Sequence, residues 1–290
     1  MDQHPKTNDW LLLILLAFIW GSSFILMKEG LKAFDATQVA TLRIVITGLV
    51  MLPFALRLRT TVTRAETKTI LIQGFFGNFF PAFLFAAAQT RIDSSVAGIL
   101  NSLSTVWVLV IGLLFFQAPF KLIRVLGIAC ALGGALLLIL YQGSIADASY
   151  SAFSLLIVVA TISYGISANV IKRHLHEVPP MTIVAISFSL VLIPFLVYLF
   201  TTDFVDTLQT VPGAFGSLAF IALLALMGSA VASVLFNRLV HRTSSLFAAS
   251  VSYLIPVVAV FWGLLDGEII HAADVAGMGL IVAGVYLTSR

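Results

Sequence analysis

The chain has 290 residues, 60% of them hydrophobic and only 10% charged, with a mean hydropathy of +1.08. A soluble domain cannot bury that much apolar surface and stay dissolved, so composition excludes a water-soluble globular protein and points to a membrane. The formal charge is only +3, so the placement of the charges carries more information than their sum.

The N-terminus has a superficial likeness to a signal peptide. Lys6, Asp2 and Asp9 precede an apolar stretch, but no A-x-A site follows it, and Trp20 and Lys28 come next; cleavage is not expected. A helix needs about 20 apolar residues to cross a hydrocarbon core about 30 Å thick. Ten such runs are predicted, at 10–28, 36–56, 69–88, 94–115, 122–141, 152–171, 181–200, 214–236, 245–265 and 272–288. The connections are short and hold most of the charges and several prolines. The longest, 201–213 (TTDFVDTLQTVPG), has the turn and cap residues of a short interfacial helix.

Lys and Arg placement sets the expected orientation. With both termini in the cytoplasm, the inner segments hold 12 of the 16 basic residues; Lys28, Lys32, Arg43 and Arg91 are on the outer side. Both termini are therefore expected inside.

The two halves resemble each other. At an offset of 150, residues 94–137 over 244–287 share 10 identities in 44 positions, among them Ser94/Ser244, Ser95/Ser245, Ser102/Ser252, Gly127/Gly277 and Gly134/Gly284. At an offset of 144, IWGSSFILMKEGL (19–31) lies over SYGISANVIKRHL (163–175), pairing Trp20 with Tyr164 and matching Gly21/Gly165, Ser23/Ser167 and Lys28/Lys172. Two units of five spans are expected, 1–144 and 145–290. An odd number of spans turns the second unit upside down, and basic residues switch between equivalent loops: Arg57, Arg59, Arg64 and Lys68 follow span 2, whereas Asp203 and Asp206 follow span 7. Inverted repeats around a midplane site are an architecture of secondary transporters, though channels and enzymes also carry repeats.

WGSSFILMKEGL (20–31), TLRIVITG (41–48), AAAQTRIDSSVAGIL (86–100), and SYLIPVVAVFWGLLDGEII (252–270) followed by AGMGLIVAGVYL resemble the EamA-type branch of the drug/metabolite transporter superfamily. The resemblance covers essentially the whole chain and rests on order and spacing rather than one motif. It implies an all-α membrane protein of ten helices with cytoplasmic termini, in a bacterial inner (plasma) membrane. It also implies a cavity built from spans 1, 3, 4, 6, 8 and 9, with 5 and 10 peripheral, and a substrate among amino acids or related metabolites, usually exported. One departure is visible. The pattern of Pro then Glu is intact at Pro256 and Glu268, but the equivalent positions of the first unit are Val106 and Ala118.

Each candidate site residue has a structural reading beside the functional one. Gly21, Ser22 and Ser23 fit close helix packing; alternatively Trp20 and Ser23, with Tyr164 and Ser167, line a cavity on the pseudo-two-fold axis. Asn78, Asn101, Ser104, Ser229, Ser233, Ser252 and Tyr253 are polar at membrane depth, where they must bond between helices or face water and substrate. Phe76, Phe79, Phe80 and Trp107 supply an apolar wall, or simply face lipid and core. Pro256 removes a helical hydrogen bond and is the candidate gating hinge. Gly127, Ala131 and Ala135 give span 5 a smooth face for packing or for an oligomer contact. Arg43 is the one charge well inside a span. An intramembrane charge is a functional candidate by default, but here it is expected to be a structural anchor away from the cavity.

Absences narrow the function. The five histidines (4, 174, 176, 241, 271) fall outside the apolar runs, and Cys130 is the sole cysteine, so neither a metal site nor a disulfide is expected. No Asp or Glu lies mid-span, no basic cluster is buried to hold phosphate esters, and no nucleotide or triad motif appears. No cofactor, catalytic residue or nucleic-acid partner is expected. The expected partners are a small neutral or zwitterionic substrate and the lipid bilayer, with a homo-oligomer left open. A lipid-handling protein or a channel is the alternative.

Overall fold

A computed structural model of the protein describes residues 6–115, 121–145 and 148–288. The described residues are helical with irregular connections and contain no strand. Among the described residues, nine helical segments are long and apolar enough to cross a membrane: α1 (Thr7–Gly30), α2 (Ala36–Thr61), α3 (Arg64–Ala88), α4 (Ser94–Phe115), α5 (Leu122–Tyr141), α6 (Tyr150–His174), α7 (Pro180–Thr201), α8 (Ala214–Arg242) and α9 (Ser245–Leu265). A shorter apolar helix, α10 (Ala272–Leu287), ends the described chain. The expected short helix in 201–213 is present as Phe204–Thr210.

Several helices run about a turn beyond their apolar stretches, because capping groups satisfy the backbone at the water end. Thr63 and Glu66 form a capping box that starts α3 ahead of its apolar run. Asp35 and Gln38 form a capping box at the expected start of α2, and Ser244 Oγ accepts the Phe247 N–H at the start of α9. Large apolar side chains such as Leu114, Phe115, Ile193 and Val257 are exposed on the outside of the bundle. That surface suits lipid tails and would be untenable in water.

The most extensive helix pairings are α5 with α10, α3 with α6 and α2 with α7. In lipid, helices associate through close backbone approach rather than hydrophobic burial, and small residues permit it here. A methyl group added at Gly284 would stand 2.5 Å from the Gly127 carbonyl oxygen; at Gly134 it would stand 2.8 Å from the Gly277 carbonyl. Ala131 and Ala135 are buried in this same contact. The smooth face of α5 is thus consumed inside the chain, against α10. The α1 notch works in the same way. A methyl at Gly21 would meet Val258 of α9 at 2.5 Å, and one at Gly165 of α6 would meet the Trp107 backbone of α4 at 2.7 Å. Ser22 accepts a hydrogen bond from Trp262 Nε1 at 2.8 Å.

Four helices are irregular at mid-length. α3 carries a π-helical stretch at Phe75–Phe79 and α8 one at Leu224–Val231. α4 breaks at Ser102, and α9 passes through a 3₁₀ turn at Ser250–Tyr253. Such departures from regular helix recur where function needs backbone or side chains re-aimed, and these four meet at the centre of the bundle.

Candidate functional site

The four irregular stretches surround a cavity of about 960 Å³, its open mouth included. α1, α3, α4, α6, α8 and α9 line it, as the family resemblance implied, and α2 joins them through Arg43.

Eight of the twelve candidate binding residues face this space: Trp20, Ser23, Asn78, Asn101, Tyr164, Ser167, Ser233 and Ser252. Trp20 Nε1 donates to the Gly228 carbonyl in the π-helical stretch of α8, at 2.9 Å; the indole thus finds the partner its depth demands. Ser233 Oγ donates to Asn78 Oδ1 at 3.2 Å, and Gln73 Nε2 donates to Ser167 Oγ at 3.1 Å. Asn101 lines the cavity and makes no hydrogen bond with the described residues. At the centre Ser102 Oγ donates to the Ser252 carbonyl at 2.6 Å; Ser252 Oγ donates to Thr105 Oγ1 at 2.7 Å, since the Thr105 proton goes to the Ala249 carbonyl at 2.6 Å, and it lies 3.3 Å from the Ser102 carbonyl. Residues 150 apart in sequence touch each other reciprocally.

Four candidates lie elsewhere. The π-helical stretch shifts the register of α3, and Phe79 packs against Phe188 and Phe195 of α7. Trp107 is drawn against α6, where Gly165 meets its backbone. Ser229 is buried and taken up as the acceptor for Arg43. The 3₁₀ turn swings Tyr253 out of the site, so that its hydroxyl donates to the Val285 carbonyl of α10 at 2.7 Å. Phe76 and Phe80 are also absent from the lining; the Phe75 ring lies against both, edge-on to Phe76 and stacked on Phe80. The aromatic wall comes instead from Trp20 against Phe236, 5.2 Å between centroids, and from Phe85 against Phe24 and Tyr164. Pro256 is the second residue of the regular helix Ile255–Leu265 and directly follows the break, where its missing N–H costs nothing. It bounds the irregular stretch rather than kinking a continuous helix.

Arg43 corrects its expected place. It lines the cavity, and its Nε donates to Ser229 Oγ at 2.6 Å. Thr47, one turn further along α2, donates to the Arg43 carbonyl of its own helix at 2.7 Å, with the Ala225 carbonyl of α8 at 3.2 Å. Sequence reasoning also missed Gln73 and Asn237. Both are buried, and Gln73 Oε1 and Asn237 Nδ2 have no hydrogen-bond partner among the described residues.

A charged cluster closes one end of the bundle beyond the cavity. Glu268, in the connection after α9, has a side chain only 2% exposed. Its Oε1 accepts from Lys28 Nζ at 2.7 Å, Ser94 N at 2.9 Å and Ser94 Oγ at 2.7 Å, while Oε2 accepts from Ser95 N at 3.0 Å. Asp266 also reaches Lys28, at 2.6 Å. Burial pushes the Glu268 carboxyl up, but the bonds from Lys28, Ser95 and Ser94 outweigh it and hold the group down at about 2. Burial, reinforced by the Glu268 charge, pushes neighbouring Asp93 up. Asp93 precedes α4 without capping it; Glu268 caps α4 from across the bundle. The corresponding position of the first half, Ala118, lies outside the described residues.

The profile of the EamA-like transporter family matches residues 9–140 and 152–290. The chain belongs to this family. A "Probable amino-acid metabolite efflux pump" of Salmonella typhimurium is 25% identical over 286 residues, covering 97% of this chain and 94% of the relative. An "Uncharacterized transporter" of Archaeoglobus fulgidus is 24% identical over 98% of this chain and 99% of its own length. The "Uncharacterized inner membrane transporter YedA" of Escherichia coli is 26% identical over 96% and 89%. A solved crystal structure shares the fold with a TM-score of 0.68 at 15% identity, covering 98% of this chain and 96% of the other. EamA membership and the apolar helices together make the chain an integral membrane protein.

Proposed function

We propose that this EamA protein is a secondary transporter, not an enzyme, that exports small neutral or zwitterionic metabolites of the amino-acid class by alternating access. In this reading all ten helices span the membrane as two inverted five-helix units, 1–144 and 145–290, with both termini in the cytoplasm. The bilayer is its surroundings and a small molecule its partner.

The observation that carries the reading is the central cavity, to which both units contribute matching parts. Ser102 and Ser252, equivalent at an offset of 150, meet at the centre, each hydroxyl next to the other's carbonyl and the Ser102 hydroxyl bonded to the Ser252 carbonyl. Gly21 of α1 packed on α9 mirrors Gly165 of α6 packed on α4, and Gly127–Gly284 mirrors Gly134–Gly277. Both third helices carry π-helical stretches. Such matching contacts fit two units related by a pseudo-two-fold axis, the relation that lets a pair of units tilt between two equivalent openings. The amino-acid class is supported by the name of the Salmonella typhimurium relative and by a lining that mixes amide, hydroxyl and aromatic groups.

The test is uptake into proteoliposomes of purified protein, using labelled amino acids, nucleosides and organic cations with and without a pH gradient. Saturable uptake of amino acids, competitively inhibited by their congeners, is the expected result. Absence of flux for every compound would refute the transport reading and leave a lipid-handling role as the next to test.

A further inference from the structure

Arg43 is the only charged residue lining the cavity among the described residues, and no carboxylate lines it. Its Nε is committed to Ser229. No described protein acceptor takes its two terminal nitrogens, and no acid pairs with it among the described residues. A guanidinium stays ionised, and an unpaired one at membrane depth is costly unless water or an anion completes it. The forked geometry left open on Arg43 matches one partner best, a planar carboxylate taken bidentately. The remaining polar lining is neutral: Asn78, Asn101, Gln73 and serine hydroxyls can complete a polar head but cannot balance a second positive charge. The Trp20/Phe236 and Phe24/Phe85/Tyr164 rings give an apolar body its place.

We infer that Arg43 seats the carboxylate of the transported molecule, and that the substrate class is carboxylates with an apolar body, in which an amino group is dispensable. This rests on the transport reading above and narrows it, because a zwitterion qualifies through its acid end alone. A cation without an acid is rejected, since it would bring a second positive charge beside Arg43 with nothing to balance it.

Binding is read by the thermal unfolding of the detergent-solubilised protein, since a ligand of the folded state raises its unfolding temperature. The probes are L-phenylalanine, 3-phenylpropionate, L-phenylalanine methyl ester and phenethylamine, with L-leucine and its ester as a second body. The acids should stabilise the protein, the amine-free acid within about tenfold of the amino acid, and ester and amine should bind roughly 30-fold more weakly or worse, the scale of one lost charge-assisted pair. Arg43→Gln should abolish the preference for acids and Arg43→Lys should keep part of it. Equal binding of ester and acid, binding that requires the amino group, or no stabilisation by any of the acids would each overturn the assignment. If Arg43→Gln does not survive purification, the acid–ester comparison on the unmodified protein decides alone. Because binding is read without flux, saturable uptake of esters and acids alike would refute the Arg43 seat and leave the transporter standing.

Discussion

Replacing Glu268 with Gln should loosen the closed end of the bundle by a calculable amount. The carboxylate accepts bonds from Lys28, Ser94 and Ser95 with a side chain only 2% exposed. A carboxyl held at about 2 against an ordinary 4.5 corresponds to about 3 kcal/mol of differential stability. The sign follows from the depressed value: the stabilisation is fully present above about pH 4.5 and is lost as the pH falls toward 2. Glutamine keeps the shape but turns an N–H₂ toward a backbone N–H, so a donor faces a donor. Lys28 retains Asp266 at 2.6 Å, which limits the loss to about 2–3 kcal/mol. For a protein of this size that is a fall in unfolding temperature of roughly 5 °C. The assay is thermal unfolding in detergent at pH 7, 5, 4 and 3. The gap between native protein and Glu268→Gln should be constant from pH 7 to 5 and about halved by pH 3. An equal unfolding temperature at pH 7, or a gap that does not narrow below pH 4, would refute the reasoning.

Other perturbations test the site and the packing. Asn101→Ala removes an amide in the cavity lining that has no hydrogen-bond partner among the described residues; it should cut saturable uptake by roughly 5–20-fold, about 1–2 kcal/mol, while leaving the unfolding temperature unchanged. Trp20→Ala removes an aromatic wall and the bond to Gly228; it should nearly abolish uptake while folded protein remains in the membrane, and normal uptake in both variants would move the site elsewhere. Gly165→Leu would force a side chain into the Trp107 backbone. Overpacking of that kind costs about 1–3 kcal/mol or more, so yield and unfolding temperature should fall without any ligand-specific effect.

Helices and cavity were legible in the sequence to different depths. Apolar runs bounded by charges locate the helices, because a bilayer demands length and hydropathy above all. Of the residues paired at an offset of 144, the structure places Trp20, Ser23, Tyr164 and Ser167 in the lining of the central cavity. Rotation about each helix axis was not legible. A helix that is greasy all round gives no periodic signal of which side faces the centre, so Arg43 was placed away from the site it lines. The π-helical stretches and the 3₁₀ turn shift the faces of α3 and α9 further, which is why Phe79 and Tyr253 were expected in the lining and are found against α7 and α10. Their only sequence trace is the small and polar residues they contain, such as Gly77-Asn78 and Gly228-Ser229. The Glu268 cap on α4 joins residues more than 170 positions apart, beyond the reach of any local pattern.

The central claim is one cavity opened alternately to either side. Counterflow tests it most directly: proteoliposomes loaded with millimolar unlabelled L-phenylalanine are diluted into a trace of labelled L-phenylalanine. A carrier with one alternating site returns loaded to the outside and accumulates label transiently above equilibrium, and that overshoot is the predicted result. Label that rises only to equilibrium, at a rate indifferent to the internal load, would mean a continuous pore and would contradict the account.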